Sequence, residues 1–308
     1  MTEPQAHGQA TRLPAGAQVD VAVVVLTYNE QLNLAQALQS VRGWAREVFV
    51  FDSFSTDRTV DIAREHGAHV MQHRFENYAR QRNAALDQLP ITAEWVLFLD
   101  ADEWLPDALK DEIEGLIARD PTENGFYLSF RFLWMGRWIR RGYYPTWVLR
   151  LLRRGKARCE DRSVNEHLVV EGATRRLAND FVHEDHRGVA DWVEKHNRYT
   201  TLEARELFRL RSEQVGEIDA RLFGSQAQRR RWLRHRVFNR LPPLVRPVLY
   251  WIYRYFICGG FLDGREAFTY HFLQALWYPM LIDIKYLEMR RRSSRGADSA
   301  GSPPRSAS

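Results

Sequence analysis

The stretch that decides the fold is residues 21–30, VAVVVLTYNE, in which an apolar run ends in a polar turn. Apolar residues fill every position of 21–26, which predicts a strand buried on both faces. Behind this run, apolar residues recur at helical spacing and predict a helix with one apolar face: Leu34, Ala37, Leu38 and Val41. A buried strand followed by such a helix is the repeating unit of parallel sheets.

The same unit recurs along the first half of the chain. We predict strands at 47–51, 68–72 and 95–99, with helices at 57–66 and 76–89 between them. Beyond Asp102 we predict a helix at 107–118, strands at 125–130, 146–152 and 164–170, a polar helix at 189–209, and helices rich in arginine and aromatic residues within 225–290. The fold class predicted is therefore α/β, with a mainly parallel central sheet flanked by helices and a C-terminal helical extension.

The composition excludes several classes of protein. Among 308 residues, 45% are hydrophobic and 27% are charged, values that exclude fibrous and wholly disordered chains. The two cysteines, Cys159 and Cys258, cannot form a disulfide framework or a zinc site by themselves, which favours a reducing compartment. No secretory signal and no apolar run long enough to span a membrane is found, and the polar ends 1–18 and 291–308 are predicted to be disordered.

Three polar clusters follow predicted strands: residues 27–30 (TYNE), 52–57 (DSFSTD) and 100–103 (DADE). Because ligands of open parallel sheets bind beyond the carboxyl ends of the strands, we expect these clusters to lie at one rim. The carboxylates of Asp100 and Asp102 suit Mg²⁺ or Mn²⁺ together with phosphate oxygens, and Asp52 can accept from a base NH or a ribose hydroxyl. Thr56 and Asp57 are better explained as a helix cap.

Neither of the glycine-rich phosphate-binding motifs, G-x-G-x-x-G and G-x-x-x-x-G-K-[ST], occurs at the first turn. Dinucleotide oxidoreductases and P-loop phosphoryl transferases therefore lose their main support. A metal held by carboxylates takes the place of the glycine loop in neutralising a diphosphate.

Six segments together carry a resemblance to a known family: VVVLTYNE at 23–30, DSFSTD at 52–57, ARQRNAAL at 79–86, WVLFLDADE at 95–103, VNEHL at 164–168 and HEDH at 183–186. In order and spacing they resemble family 2 glycosyltransferases of the GT-A (Rossmann-like) fold, in particular the branch of bacterial lipopolysaccharide core β-1,4-glucosyltransferases. The resemblance covers about residues 20–205. One departure is Phe54, where the family usually has glycine.

The resemblance implies a UDP-sugar donor, a divalent cation and roles for individual residues. Thr27, Asn29 and Glu30 would line the nucleotide loop, and Asp52 would contact the uracil. The residues implied near the base and diphosphate are Arg80, Arg82 and Asn83. The alternative for Arg80 and Arg82 is that they lie on a solvated face of a helix. Asp102 would be the chief metal ligand, with Asp100 nearer the ribose.

Enzymes of this kind invert the anomeric centre and need a general base to deprotonate the acceptor hydroxyl. We predict Glu166 for this role, with Asp180 and Asp185 as the next candidates. The alternative is that Glu166 is a surface residue of a strand and pairs with a nearby arginine. His183 is predicted to complete the metal shell. A salt-bridge cluster or helix cap is the alternative for the HEDH segment.

Two basic zones suggest anionic partners. Residues 130–159 contain no acidic residue and interleave nine Arg or Lys residues with aromatics, which fits an acceptor glycan bearing phosphate or acidic sugars. Residues 220–262 again contain no acidic residue and have the composition of interfacial helices that meet an anionic membrane surface. A helix packed on the catalytic domain is the alternative there.

The sequence thus predicts a nucleotide-sugar-dependent hexosyltransferase that acts on a saccharide or glycolipid acceptor of the bacterial cell envelope. Its location would be cytoplasmic, peripheral on the inner face of the cell membrane. The domains predicted are 19–210, with a nucleotide-sugar half (19–103) and an acceptor half (104–210), and a membrane-associating extension at 221–290. One alternative is an enzyme that transfers the sugar to a polyprenyl phosphate. Another, from a different class, is a non-catalytic nucleic-acid-binding protein, although we do not expect a nucleic-acid partner. The oligomeric state is not predicted.

Overall fold

A computed structural model describes residues 18–160, 168–212 and 241–300 of the chain. The chain divides into two compact units, one ending at Arg187 and one beginning at Gly188. The domain boundaries expected from the sequence stay a prediction.

The first half of the first unit consists of strands and helices in alternation. Its elements are β1 Val19–Thr27, α1 Leu34–Val41, β2 Ala45–Asp52, α2 Thr59–Glu65, β3 His69–Gln72, α3 Tyr78–Gln88 and β4 Trp95–Asp100. The four strands are parallel and lie in the order β3-β2-β1-β4. Their carboxyl ends therefore share one edge, where the loops 27–33, 52–58 and 100–103 lie.

The second half of this unit extends the same sheet in a mixed fashion. Its elements are β5 Glu103–Trp104, α4 Asp107–Ile117, β6 Gly125–Trp134, β7 Arg137–Trp138, β8 Trp147–Arg153, β9 Ala157–Cys159, β10 Leu168–Val170 and β11 Thr174–His183. Strand β8 runs antiparallel to β4 and to β6, and β11 runs parallel to β6. Strand β5 closes the order by pairing antiparallel with the end of β11, while β9 and β10 form a small separate sheet.

The core explains why strand β1 is apolar at every position. Val21, Val23 and Val25 belong to one buried cluster, which includes residues of α1 and α4. Ala22 and Val24 belong to the cluster on the opposite face, which includes Ala85 and Leu89 at the end of α3. A strand with helices on both faces has no solvent side, so the alternation of a half-exposed strand is absent.

The second unit is helical. Its elements are α5 Val189–Ser212, α6 Val245–Ile252, α7 Arg265–His271 and α8 Tyr278–Ala300, with π-helical turns at Tyr253–Ile257 and Phe272–Trp277 and a 3₁₀ turn at Gly260–Asp263. Helix α5 packs on α8 through a core that contains Ala204, Ile282 and Tyr286. The ammonium of Lys285 adds hydrogen bonds to the Asn197 carbonyl and Thr200 Oγ1, each at 2.8 Å.

The α/β fold class is confirmed: the central sheet is flanked by helices, and a helical region follows it. Within the described residues, no helix is long and apolar enough to cross a bilayer. The main difference from the prediction is β11, a ten-residue strand that the sequence analysis did not find. Its segment TRRLANDFVH mixes polar and apolar residues without a regular period, and its register to β6 shifts between Arg176 and Asp180.

Candidate active site

Asp52 joins the first two polar loops from a fully buried position at the end of β2. Its carboxylate accepts hydrogen bonds from Thr27 Oγ1 at 2.9 Å, from the Ser55 amide at 2.9 Å and from Gln72 Nε2 at 3.0 Å. These donors satisfy a buried charge that would otherwise be costly. A contact of Asp52 with the base of a nucleotide stays a prediction.

Asn29 holds the second loop in place from the first. The backbone N–H of Asn29 donates to Ser55 Oγ at 2.9 Å. The side-chain Oδ1 of Asn29 accepts from the backbone N–H of Thr56 at 2.8 Å. Asn29 has φ 54° and Phe54 has φ 60°, so both lie in the left-handed region that favours glycine. The side chain of Phe54 is 54% exposed, so an aromatic ring stands at the rim of these loops.

Glu30 belongs to a cluster that ties the first loop to the segment after β11. It accepts from Asn33 Nδ2 at 2.9 Å and from Arg187 Nη1 at 3.1 Å. Arg187 also donates to Asp185 at 2.7 Å. Burial raises the pKa of Asp185, but the hydrogen bonds from Arg187 outweigh burial and hold that pKa well below its usual range. A carboxylate so stabilised is a poor proton acceptor, which disfavours Asp185 as the general base.

The acidic motif after β4 lies in a group of buried charges. Arg150 donates to both oxygens of Asp100, at 3.2 and 2.6 Å, and to Glu103 Oε1 at 2.7 Å. Arg82 of α3 adds a second guanidinium 3.9 Å from Asp100. Although burial raises the pKa of Asp100, Arg150 and Arg82 outweigh it, and the pKa of Asp100 lies well below its usual range.

Glu103 is the most buried acid of this group, with a side chain 2% exposed. Burial raises the pKa of Glu103 to about 8, assisted by the neighbouring charges of Asp100 and Asp102 and opposed by Arg150. Its other oxygen accepts from the Asp100 amide at 2.8 Å, which fixes the turn of the motif. Glu103 was not among the residues singled out from the sequence.

Asp102 and His183 come together although 81 residues separate them. Strand β5 pairs with the end of β11, so His183 lies opposite Glu103, and its Nε2 is 3.4 Å from Asp102 Oδ2. Burial lowers the pKa of His183, but the charge of Asp102 and its hydrogen bond outweigh burial and raise the pKa to about 9. The pair predicted from the sequence as metal ligands is thus adjacent.

A carboxylate oxygen and an imidazole nitrogen are donors that Mn²⁺ and Mg²⁺ sites use, the imidazole suiting Mn²⁺ better. Within the described part of the chain, no group of three or more His, Cys, Asp or Glu side chains is arranged to hold a metal ion. Asp102, together with His183 once its imidazole has lost the extra proton, therefore fits a cation whose remaining ligands come from elsewhere, such as the oxygens of a bound diphosphate.

The other predicted residues have diverse positions. Arg80 is exposed and pairs with Glu76, which lies two residues before α3 begins. Asn83 donates from Nδ2 to the Cys159 carbonyl at 2.9 Å and accepts from the Cys159 amide at 2.9 Å, which anchors β9 to α3. Glu166 lies outside the described residues. Nucleotide roles for Arg80 and Asn83, and the catalytic role of Glu166, stay predictions.

The basic zone at 130–159 separates into two groups. Arg150 is 10% exposed and faces the acidic motif, so it does not belong to an acceptor surface. Arg131 and Arg140 instead flank Trp138, with guanidinium carbons 5.4 and 4.5 Å from a ring centroid. Asp180 accepts from Arg131 Nε at 3.3 Å and from Tyr144 Oη at 3.1 Å, so this reserve candidate for the base is also held by donors.

Comparison with known proteins adds three relatives. An uncharacterised glycosyltransferase of Rickettsia typhi is 36% identical over 111 residues, 36% of this chain and 37% of that protein. One from Rickettsia felis is 36% identical over 117 residues, 38% of this chain and 41% of that protein. The glycosyltransferase SunS of Bacillus subtilis is 33% identical over 98 residues, 31% of this chain and 22% of that protein. The chain thus spans about two fifths or less of the curated relatives it matches.

Two solved structures are similar at low identity. The mannosyltransferase PcManGT from Pyrobaculum calidifontis, solved with GDP-Man and Mn²⁺, is 16% identical, with 91% of this chain and 90% of that chain covered and a TM-score of 0.48. Glucosyl-3-phosphoglycerate synthase from Mycobacterium tuberculosis, solved with Mn²⁺, UDP and glucosyl-3-phosphoglycerate, is 21% identical, with 42% and 51% covered and a TM-score of 0.33.

The model of the family "Glycosyl transferase family 2" matches residues 22–164. This range begins in β1 and includes the loops 27–33, 52–58 and 100–103 described above. The chain is therefore similar to this family over residues 22–164, a little under half of its length.

Proposed function

We propose that the chain is a glycosyltransferase that moves a sugar from a nucleotide-sugar donor to a saccharide acceptor. The observation that carries the proposal is the meeting of Asp102 and His183, 3.4 Å apart, at the rim formed by the loops of a family 2 domain. The glycosyltransferase names of the relatives from Rickettsia and Bacillus support the same reaction class.

The donor proposed is a UDP-sugar bound with Mg²⁺ or Mn²⁺. Asp102 and His183 would hold the cation, and when bound it would neutralise the charge of the departing diphosphate. Asp100, whose charge is matched by Arg150 and Arg82, is better suited to accept hydrogen bonds from ribose hydroxyls than to compete for the cation. Thr27, Asn29 and Glu30 would shape the nucleotide loop, as the contacts of Asn29 with the second loop support.

The transfer proposed inverts the anomeric centre, with Glu166 as the base that takes the proton of the acceptor hydroxyl. The contacts of the two reserve candidates support this choice. Asp185 is held in its charged form by Arg187, and Asp180 accepts hydrogen bonds from Arg131 and Tyr144.

We propose a phosphorylated or acidic saccharide of the bacterial cell envelope as the acceptor, as in the lipopolysaccharide core branch that the sequence resembles. Arg140 is exposed and stacks on Trp138, with Arg131 close to the same ring. Guanidinium groups form paired hydrogen bonds with phosphate, which supports an anionic acceptor at this surface. The location proposed is the inner face of the cell membrane, where the arginines of 221–240 would meet anionic lipid.

Calorimetric titration of the full chain with UDP, in the presence and absence of Mn²⁺, tests the donor and the cation together. We expect UDP to bind in the presence of Mn²⁺ and at least about tenfold more weakly without it. Hydrolysis of a panel of nucleotide sugars then identifies the donor. Failure of UDP to bind under either condition, together with tight binding of RNA, would favour the nucleic-acid alternative. Transfer to a polyprenyl phosphate in place of a saccharide would favour the lipid-acceptor alternative.

A further inference from the structure

The second unit carries a group of large apolar side chains that face solvent at one end of a helical hairpin. We call this group the apolar tip; it consists of Phe256, Ile257, Phe261 and Leu262. Their exposed fractions are 50%, 73%, 48% and 56%. Exposed aliphatic and aromatic residues that are adjacent in this way are uncommon on soluble monomers and mark surfaces that bind an apolar partner.

The hairpin gives the apolar tip its shape. Helix α6 and the π-helical turn after it form one continuous arm, Val245–Ile252 followed by Tyr253–Ile257. The chain then reverses through Gly259 and Gly264, which have φ 75° and 91°, and returns along α7 and the second π-helical turn. The first arm packs against the turn Phe272–Trp277 of the second, so the two arms lie side by side.

The turn of the hairpin is tightly packed on its second arm. A Cβ atom added to Gly260 would lie 2.5 Å from Nε2 of the fully buried His271. The reversal is thus a fixed part of the fold, and the apolar tip is held out by it.

The two arginines of the first arm, Arg246 and Arg254, both bind neighbouring side chains. Arg246 is 4% exposed and forms a salt bridge with the fully buried Asp283. Arg254 donates to Tyr250 Oη at 3.0 Å, and residues 241–262 contain no acidic residue and no lysine. Around this arm the exposed large hydrophobic residues continue from the apolar tip: Val245, Val248, Leu249 and Ile252.

The charge of the preceding segment decides between a bilayer and a second copy of the chain. Residues 221–240 contain seven arginines and no acidic residue. Segments of this charge repel each other, which disfavours a second copy of the chain as the partner, whereas anionic phospholipid attracts them.

We propose that the apolar tip inserts into one leaflet of a lipid bilayer and makes the second unit a monotopic anchor. The first arm, thirteen residues from Val245 to Ile257, measures about 20 Å at 1.5 Å per residue, and one leaflet of the hydrocarbon core is about 15 Å thick. The inference rests on the membrane location proposed above. It adds that apolar insertion, more than surface charge, holds the chain on the membrane.

Flotation of the full chain with vesicles tests this insertion. The vesicles are pure phosphatidylcholine or contain 30% phosphatidylglycerol, each at 0.1 and 1 M NaCl. The test variant is the double substitution Ile257→Ser with Leu262→Ser, and its matched control is Val189→Ser with Leu202→Ser, two exposed apolar residues of the same unit. We expect the wild-type chain and the control to float at both salt concentrations, and partitioning of the test variant at 1 M NaCl to fall at least tenfold.

A second measurement locates the tip within the bilayer. The fluorescence that Ile257→Trp adds to that of the ten native tryptophans should be quenched more by acyl-chain brominated lipids than by headgroup spin-labelled lipids. Flotation of the test variant equal to wild type, or loss of all wild-type binding in 1 M NaCl, would overturn the proposal. So would a lipid-free dimer that the test variant converts to a monomer.

The proposed function and the proposed membrane anchor can be tested independently of each other. UDP titration in the presence of Mn²⁺, performed on the same test variant without lipid, should match the wild type. Loss of UDP binding by every form with insertion intact would remove the donor proposal alone. Normal UDP binding with no insertion by the wild type would remove the anchor alone.

Discussion

Arg150 donates to both carboxylate oxygens of Asp100 from strand β8, at 2.6 and 3.2 Å, and so matches the charge of one of the two aspartates in the acidic motif. The second aspartate, Asp102, lies against His183 instead. Two carboxylates separated by one residue therefore have different partners, and this difference suits them to different tasks.

Replacement of Arg150 tests how far the acidic motif depends on this guanidinium. Arg150→Met leaves Asp100 and the buried Glu103 without their shared cation, and we expect the free energy of unfolding to fall by about 3–5 kcal/mol. Arg150→Lys keeps the charge but cannot form both bonds to Asp100, so its loss should be intermediate. Urea denaturation of the two variants measures both effects. Equal stability of Arg150→Met and wild type would show that the contact is energetically neutral.

Asp102→Asn is expected to abolish transfer and to remove the Mn²⁺-dependent part of UDP affinity, since His183 and the neighbouring groups cannot hold the cation alone. Calorimetry with UDP and Mn²⁺ measures the second effect. Asp111→Asn on the exposed face of α4 is the matched control and should bind as the wild type does. An Asp102→Asn variant with unaltered Mn²⁺-dependent binding would move the cation site elsewhere.

Glu166→Gln keeps the shape of the side chain but cannot accept a proton. We expect turnover to fall by roughly two to four orders of magnitude, with UDP affinity nearly unchanged. Asp180→Asn and Asp185→Asn provide the comparison, because both carboxylates are held by arginine. Turnover of Glu166→Gln within a few fold of wild type would contradict its role as the base.

Asp57 gives the loop 52–58 a pH-dependent contribution to stability. Its Oδ1 accepts from the backbone N–H of Thr59 at 3.0 Å, and its Oδ2 accepts from the backbone N–H of Gln31 at 3.2 Å. Burial raises the pKa of Asp57, but the hydrogen bonds to the carboxylate outweigh burial and lower that pKa. A carboxyl group whose pKa is lower in the folded state stabilises the fold above its unfolded pKa, near 3.8, and the contribution is lost as the pH falls through the folded value.

We therefore expect Asp57→Asn, which keeps one acceptor oxygen but removes the charge, to destabilise the chain at pH 6 by less than the about 1 kcal/mol of a fully lost cap, and by progressively less below pH 4. Thermal unfolding measured across this range tests the trend. Asp61→Asn, which removes a negative charge from the same helix, is the control. A difference between Asp57→Asn and wild type that stays constant with pH would contradict the assignment.

Strands β1 and β4 could be predicted because each is buried on both faces and therefore reads as an unbroken apolar run, as 21–26 does. The loops after those strands followed from the rule that ligands bind beyond the carboxyl ends of parallel strands. Strand β11 could not be predicted in the same way. Only Leu177, Phe181 and Val182 among its hydrophobic residues are buried, and its partner is β6, about fifty residues earlier in the sequence.

The site shows the same division. Asp100, Asp102 and His183 were found as residue types suited to metal and phosphate, but Arg150, the partner of Asp100, was not. Arg150 was grouped with surface arginines because its neighbours in sequence are basic, and only its place in β8, between β4 and β6, directs it to the acidic motif. A charged residue inside a predicted buried strand was the one signal available in the sequence.

The pairing of β5 with β11 has a consequence for how the molecule is completed. The family match ends at residue 164, nineteen residues before His183, so a fragment limited to the match would contain Asp102 without its neighbour. During synthesis, Asp102 likewise leaves the ribosome long before the strand that carries the histidine. The pair of Asp102 and His183 can form only after β11 has been synthesised, and a chain interrupted anywhere before β11 would have the loops 27–33, 52–58 and 100–103 but only half of that pair.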